Sequence, residues 1–235
     1  NNTDKIGHLY GSLYGIEGVL KDNLVEIEPD LSKYDELKYM SGAILGSARL
    51  KLGLPEDDDR YVKIHEIAKK YDIGYILVNG GNDSMDTVSK LSRYAKKVGS
   101  DIRVIGEPKT IDNDLVLTDH TPGFGSAAKY VATTVREIVL DANVYEKKSV
   151  TIIEIMGRHA GWLTAASVLA RKSVGDNPLL IYLPETDFDE EAFLKKVEAC
   201  FEKNVNVVVC VSEGIHDKDG VFICEYDNAV GTDTF

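Results

Sequence analysis

The sequence predicts an α/β protein whose parallel sheets are covered on both faces by helices. Three observations carry that reading. Short apolar runs rich in Val and Ile recur along the chain, most end in a Gly-rich or polar turn, and most lead on into a stretch with helical spacing. In order, "YILVN" (75–79) is followed by Gly80 and Gly81 and then by "SMDTVSKLSRYAKKVG", whose apolar residues recur at helical intervals. "IRVIG" (102–106) runs into the polar segment "EPKTIDNDL" (107–115). "VTIIEI" (150–155) precedes "AGWLTAASVLARK" (160–172), read as helical with Trp162 in the core. "LLIYLP" (179–184) precedes "DEEAFLKKVEACFEKN" (189–204), a helix whose first turn is rich in carboxylates, as the helix dipole favours. "VNVVVCVSEG" (205–214) closes the pattern.

At 235 residues, 43% apolar and 28% charged, the chain has the composition of a globular protein with a sizeable core. A formal net charge of −12 argues against a general nucleic-acid or anionic-membrane binder, which needs a basic footprint. It leaves room for an anionic small molecule, because a few local cations and backbone N–H groups suffice to hold a phosphate. The three cysteines, Cys200, Cys210 and Cys224, form no CxxC pair and are odd in number, so neither a zinc site nor a disulfide framework is indicated and a reducing cytoplasm is expected. No apolar run reaches the length of a membrane span and no signal peptide precedes "NNTDKIGHLYG". The Pro and Gly residues of "TPGFGS" (121–126) suggest a division into 1–123 and 124–235. The start lacks a full first βα unit and "GTDTF" lacks a capping element, so a partial chain is expected.

In open α/β sheets, ligands sit beyond the carboxyl ends of the strands, and three predicted strand ends carry polar clusters. In "NGGNDS" (79–84), two glycines let the backbone approach an anion and the next helix supplies unpaired N–H donors; a tight turn with an N-cap is the plainer alternative. In "PKTIDNDL", Asp112 and Asp114 would share a face if the segment were extended, one taking a proton while the other orients a ligand or metal-bound water. An Asx-rich loop that satisfies its own backbone is the alternative there. In "EIMGRHAGW" (154–162), Arg158 stands at a strand-to-helix passage where it could bind phosphate or pair with Glu154. Glu213 of "SEG" stands at another strand end, able to accept hydrogen bonds from sugar hydroxyls.

Together, "GGNDS", "PKTIDND", "TPGFGSA", "EIMGRHAG" and "VSEG", in this order and with "GSLYGIEGVL" and "LGSAR" upstream, resemble the phosphofructokinases over nearly the whole chain. The resemblance implies two similar Rossmann-like parallel-sheet domains with the active site in the cleft between them, the first holding the phosphoryl donor and the second the sugar phosphate. It implies transfer of a phosphoryl group to the 1-hydroxyl of fructose 6-phosphate with Mg2+ as cofactor. By the same resemblance, Asp112 accepts the hydroxyl proton, and Thr110, Ile111 and Asp112 lie against the substrate. Met156, Gly157, Arg158 and Glu213 contact the sugar phosphate; Gly80, Gly81, Asp83, Ser84, Lys109 and Arg49 face the donor; Asn82 and Asp114 serve the metal. A homo-oligomer, dimer or tetramer, is expected.

The resemblance also bears on the donor. ATP-using members carry Gly at the positions of Asp83 and Lys109, whereas pyrophosphate-using members carry Asp and Lys, as this sequence does. The Asp carboxylate would repel a nucleotide α-phosphate and the Lys ammonium would hold the small, highly charged pyrophosphate. Lys109 pairing with Glu107 at the surface is the alternative, as a surface ion pair is for Arg49. The expected activity is therefore a pyrophosphate–fructose 6-phosphate 1-phosphotransferase, with an ATP-dependent enzyme or a non-catalytic sugar-phosphate-binding subunit as the other readings. Asn82 departs from the family, which usually has a metal-binding Asp there; an amide oxygen can ligate a hard cation without the charge. His120 and His159 flank motif residues and are candidates for supporting roles, while His8, His65 and His216 are read as solvated or capping.

Overall fold

Helices and parallel strands alternate through most of the chain in the computed structural model, which describes residues 5–28 and 30–226. The chain divides into two compact units, Asn1–Lys109 and Thr110–Phe235.

In the first unit, β1 (Tyr10–Ser12) and β2 (Leu24–Glu26) form an antiparallel ribbon around α1 (Gly15–Leu20). A 3-10 stretch follows at Leu31–Tyr39. Helix α2 (Arg60–Lys70) buries Tyr61, Ile64, Ile67 and Ala68, one face at helical spacing. Strand β3 (Tyr75–Gly80) leads into α3 (Asn82–Lys97), which buries Thr87, Leu91 and Ala95, here at intervals of four. Strand β4 (Arg103–Pro108) then pairs with β3 in parallel, from Tyr75 opposite Arg103 to Gly80 opposite Pro108. Leu52, Tyr61, Ile64 and Leu91 make the core of this unit, each contributing about 1.5–3 kcal/mol by burial.

The second unit begins with α4 (Phe124–Ala142), packed through Val135, Val139 and Ala142. It continues with β5 (Ser149–Ile155), α5 (Trp162–Ala166), β6 (Leu180–Tyr182), α6 (Glu190–Cys200) and β7 (Asn206–Ser212). The three strands are parallel in the order β5-β7-β6. As the central strand, β7 is sealed on both faces, with Val207, Val208, Val209 and Cys210 fully buried. Asp189 caps α6, its carboxylate accepting from the Ala192 N–H at 2.8 Å.

Several elements depart from the sequence reading. The unit boundary falls at 109/110, whereas the Pro and Gly residues suggested 123/124. Segment 110–123 is bound to the second unit by its own contacts, including the His120 ring on Phe124 and Thr121 accepting from the Phe124 N–H at 3.1 Å. Helix α5 stops at Ala166 and passes into a 3-10 turn at Ser167–Ala170, so the single long helix expected there is short. Trp162, assigned to the core, is 57% exposed because it is the first residue of α5 and leaves the inward face to Leu163 and Thr164. The "GTDTF" terminus (231–235) lies outside the described residues. Among the described residues no helix is long and apolar enough to cross a membrane.

Candidate active site

Strands β3 and β4 end side by side, and the Lys109 N–H donates to the Gly80 carbonyl at 2.8 Å just past the last paired residues. From there the chain turns at Gly81 into α3, whose first two residues are Asn82 and Asp83. Gly80 is buried, and a Cβ on it would come within 2.7 Å of the Ser84 Cβ, so only glycine lets Ser84 fold back over the strand end. A Cβ on Gly81 would meet only the Lys109 carbonyl, at 3.9 Å. Asn82, Asp83 and Lys109 are exposed. Asp83 stands in the first turn of α3, where the helix dipole favours a negative charge. The Lys51 ammonium, which the sequence reading did not single out, stands 3.7 Å from the Asp83 carboxylate.

Lys51 and the exposed Arg49 ride on a strap whose backbone is pinned. The Arg60 guanidinium donates to the Lys51 carbonyl (3.2 Å), Lys90 Nζ to the Leu52 carbonyl (2.9 Å) and the Tyr61 hydroxyl to the Gly53 carbonyl (2.8 Å). The Gly53 N–H donates in turn to Asp58 at 2.8 Å. Asp58 also takes the Arg60 guanidinium, which holds its carboxyl well below the usual carboxylate range.

Thr110 opens the second unit, so the "PKTIDND" motif is shared between the units. The Asp112 N–H donates to Thr110 Oγ1 at 3.0 Å, a turn closed by a hydroxyl. Asp112 is half-buried, and Ile111 and Asp114 are exposed. Asn113 between the two carboxylates has φ 61°, so the segment is not extended and the shared face expected of Asp112 and Asp114 does not arise from strand geometry.

The third cluster is the most tightly built. Ile155 pairs with Ser212, and the Glu213 N–H extends the ladder by donating to the Ile155 carbonyl at 2.9 Å. Ser212, buried, donates through Oγ to the Gly157 carbonyl (2.6 Å) and accepts from the Gly214 N–H (3.1 Å). The Gly157 N–H donates to Glu213 Oε1 at 3.1 Å. Gly157 has φ 121°, open to glycine alone, and a Cβ on Gly214 would fall within 2.7 Å of the Arg158 Cα and closer still to its carbonyl. Met156 and Arg158 are exposed on this loop, and the Gly161 N–H at its far end donates to Glu185 Oε1 at 2.7 Å. Ser212 and Gly214 belong to the run "SEG", which is singled out in the sequence only for Glu213, and no motif marks Glu185.

Three histidines have contacts away from the polar clusters: His159 packs on Phe222, His65 stands edge-on to Tyr94 with its pKa lowered by burial, and His216 Nε2 lies 3.1 Å from the Pro184 carbonyl. Among the described residues no three His, Cys, Asp or Glu side chains gather into a metal cage.

Comparison with known proteins bears on the family and the fold. A protein of Xanthomonas campestris pv. campestris named pyrophosphate–fructose 6-phosphate 1-phosphotransferase is 45% identical over 94% of this chain and 53% of its own length. A protein of the same name from Halomonas elongata is 39% identical over 99% of this chain and 56% of its own length. The chain thus spans about half the length of the curated relatives it matches. In structure it matches the pyrophosphate-dependent phosphofructokinase of Nitrosospira multiformis with a TM-score of 0.77 and 39% identity, over 93% of this chain and 55% of that one. The fold is the α/β fold of the phosphofructokinases, and the family model described as Phosphofructokinase matches residues 2–234. The chain belongs to the phosphofructokinase family.

Proposed function

We propose that the chain carries the reacting groups of a pyrophosphate-dependent phosphofructokinase, a cytoplasmic homo-oligomer, dimer or tetramer, acting on fructose 6-phosphate. The 1-hydroxyl oxygen attacks one phosphorus of pyrophosphate, Asp112 takes the hydroxyl proton, and the bond to the bridging oxygen breaks. Fructose 1,6-bisphosphate forms, and inorganic phosphate leaves with the electron pair. Run backwards, Asp112 returns the proton, and because a phosphoanhydride of this size and the sugar ester are close in energy, the reaction is reversible. Phosphoryl transfer is largely positioning and charge stabilisation, which sets the tasks of the other groups. Lys109 and Arg49 would neutralise the donor, and Gly80, Gly81 and Ser84 would let it approach the start of α3. Asp83 would exclude a nucleotide's α-phosphate. Met156, Gly157, Arg158 and Glu213 would hold the sugar phosphate, with Thr110 and Ile111 beside it.

The residues present suit Mg2+, which favours hard oxygen ligands and keeps several waters beside one or two carboxylates and substrate phosphates. Asn82 and Asp114, both exposed, would supply protein oxygens to it. When bound, the ion would offset charge developing on the transferring phosphoryl group.

The observation that carries the donor assignment is the hydrogen bond from Lys109 to Gly80, which sets Lys109 beside the Gly81–Asp83 corner. The test is a coupled assay on the full-length protein with pyrophosphate or ATP as donor. Turnover with pyrophosphate is expected; turnover with ATP alone would sink the donor assignment, and none with either donor would favour a binding subunit. The double variant Lys109→Gly with Asp83→Gly is expected to admit ATP. An unchanged donor preference in that variant would show that these two residues do not set it.

A further inference from the structure

We infer that Asn113 is the positioning residue of the loop that bears Asp112 and Asp114, an inference that rests on reading Asp112 as the proton acceptor. Asn113 is 8% exposed between two acidic neighbours, and both ends of its amide are engaged. Nδ2 donates to the Asp119 carbonyl at 3.1 Å, and Oδ1 accepts from the Thr121 N–H at 2.8 Å. The side chain thereby closes the return from 113 to 121 on itself. Its backbone is left-handed, φ 61°, a conformation that Asn tolerates better than other side chains and that turns the chain sharply between the two carboxylates.

The clip has a rigid anchor. Thr121 is 3% exposed, and its carbonyl accepts from the Phe124 N–H at the first residue of α4, which is locked into the core through Val135 and Val139. A Cβ on Gly123 would lie 3.2 Å from Ile111 Cγ2, so the loop also packs against the entry to that helix. Asp112 is thus referenced through Asn113 to the longest helix of the second unit rather than to a free loop. Reacting groups need such support, because a displacement of ~1 Å costs about a hundredfold in rate.

The test uses Asn113→Gly, which keeps the left-handed backbone and removes the clip, and Asn113→Asp, which keeps the acceptor toward Thr121 and loses the donor toward Asp119. For the full-length protein, kcat with pyrophosphate is expected to fall about a hundredfold in Asn113→Gly, with KM for both substrates changed less than about threefold, and to fall less in Asn113→Asp. Exchange of the Thr121 amide, read by NMR or mass spectrometry, is expected to quicken at least about tenfold in Asn113→Gly. Wild-type kcat in a folded Asn113→Gly protein overturns the inference, as does a rise in KM with kcat kept. If Asn113→Gly fails to fold, the same criteria apply to Asn113→Asp. If the wild type turns over neither donor, the functional reading fails, and Thr121 exchange alone decides: faster exchange supports the clip and equal exchange overturns it.

Discussion

Where β3 and β4 end, Asn82, Asp83 and Lys109 stand in solvent, Asp83 meets Lys51 only at 3.7 Å, and a Cβ on Gly81 would touch little. Where β5 and β7 end, Ser212, Glu213, Gly157 and Gly214 bond one another directly, and two glycines leave no room for a methyl group. Both corners occupy the same place in a parallel sheet, yet one holds loose charges and the other a fixed backbone shape. The difference suits the two ligands proposed for them. A small, highly charged donor can be held by exposed cations, whereas a sugar phosphate is better oriented by a loop whose backbone is fixed by hydrogen bonds.

The largest effect expected is at Gly214, where alanine would force the Arg158 backbone aside and cost about 3 kcal/mol or more, while Gly81→Ala should cost less than about 1 kcal/mol. Thermal or denaturant unfolding of the two variants measures the contrast, and equal losses would break it. Next is Ser212→Ala, which orphans the Gly157 carbonyl and the Gly214 N–H and should cost about 2 kcal/mol while raising KM for fructose 6-phosphate. Lys109→Ala should leave stability within about 0.5 kcal/mol and raise KM for pyrophosphate instead. Steady-state kinetics with each substrate varied in turn would show whether the two corners divide the ligands in this way.

The last effect, read on the acid side of the pH range, concerns a pinned part of the donor corner, the strap from Lys51 to Gly53. Because Arg60 depresses the Asp58 pKa in the folded state, the stabilisation is fully present above the unfolded carboxyl's pKa, about 3.9, and is lost as pH falls toward the depressed folded value. Asp58→Asn should cost about 1–2 kcal/mol at neutral pH and flatten that acid-side decline. An unchanged acid limb in urea-unfolding midpoints would show that Asp58 does not bear it.

The strands were legible as short apolar runs, but only β7 is buried on both faces; Tyr75, Leu77, Ile105 and Ile152 leave one face of β3, β4 and β5 exposed, so the cover expected on both faces of every strand is not found among the described residues. The site clusters were legible because Gly-Gly and dense carboxylates are unusual directly after such runs. What escaped depended on distance or on competing packing. Helix α4 carries Val131, Val135, Val139 and Ala142 at the helical period, but it follows directly on the Pro and Gly residues of "TPGFGS", whose turn signal masks its start. The approach of Lys51 to Asp83 is set by Lys90, Arg60 and Tyr61 holding a strap far away in sequence, which no local pattern encodes. Asn113 and Ser212 work through backbone partners, and a residue's identity does not announce which carbonyl it will meet.

Trp162 has a practical consequence. It is the chain's one tryptophan, more than half in solvent, and it follows directly after Gly161, whose N–H is fixed by Glu185 at the far end of the Arg158 loop. Its emission is placed to report on that loop: if the proposed assignment holds, titrating fructose 6-phosphate against the fluorescence of the unlabelled protein is expected to shift it, without a coupled enzyme and without the donor.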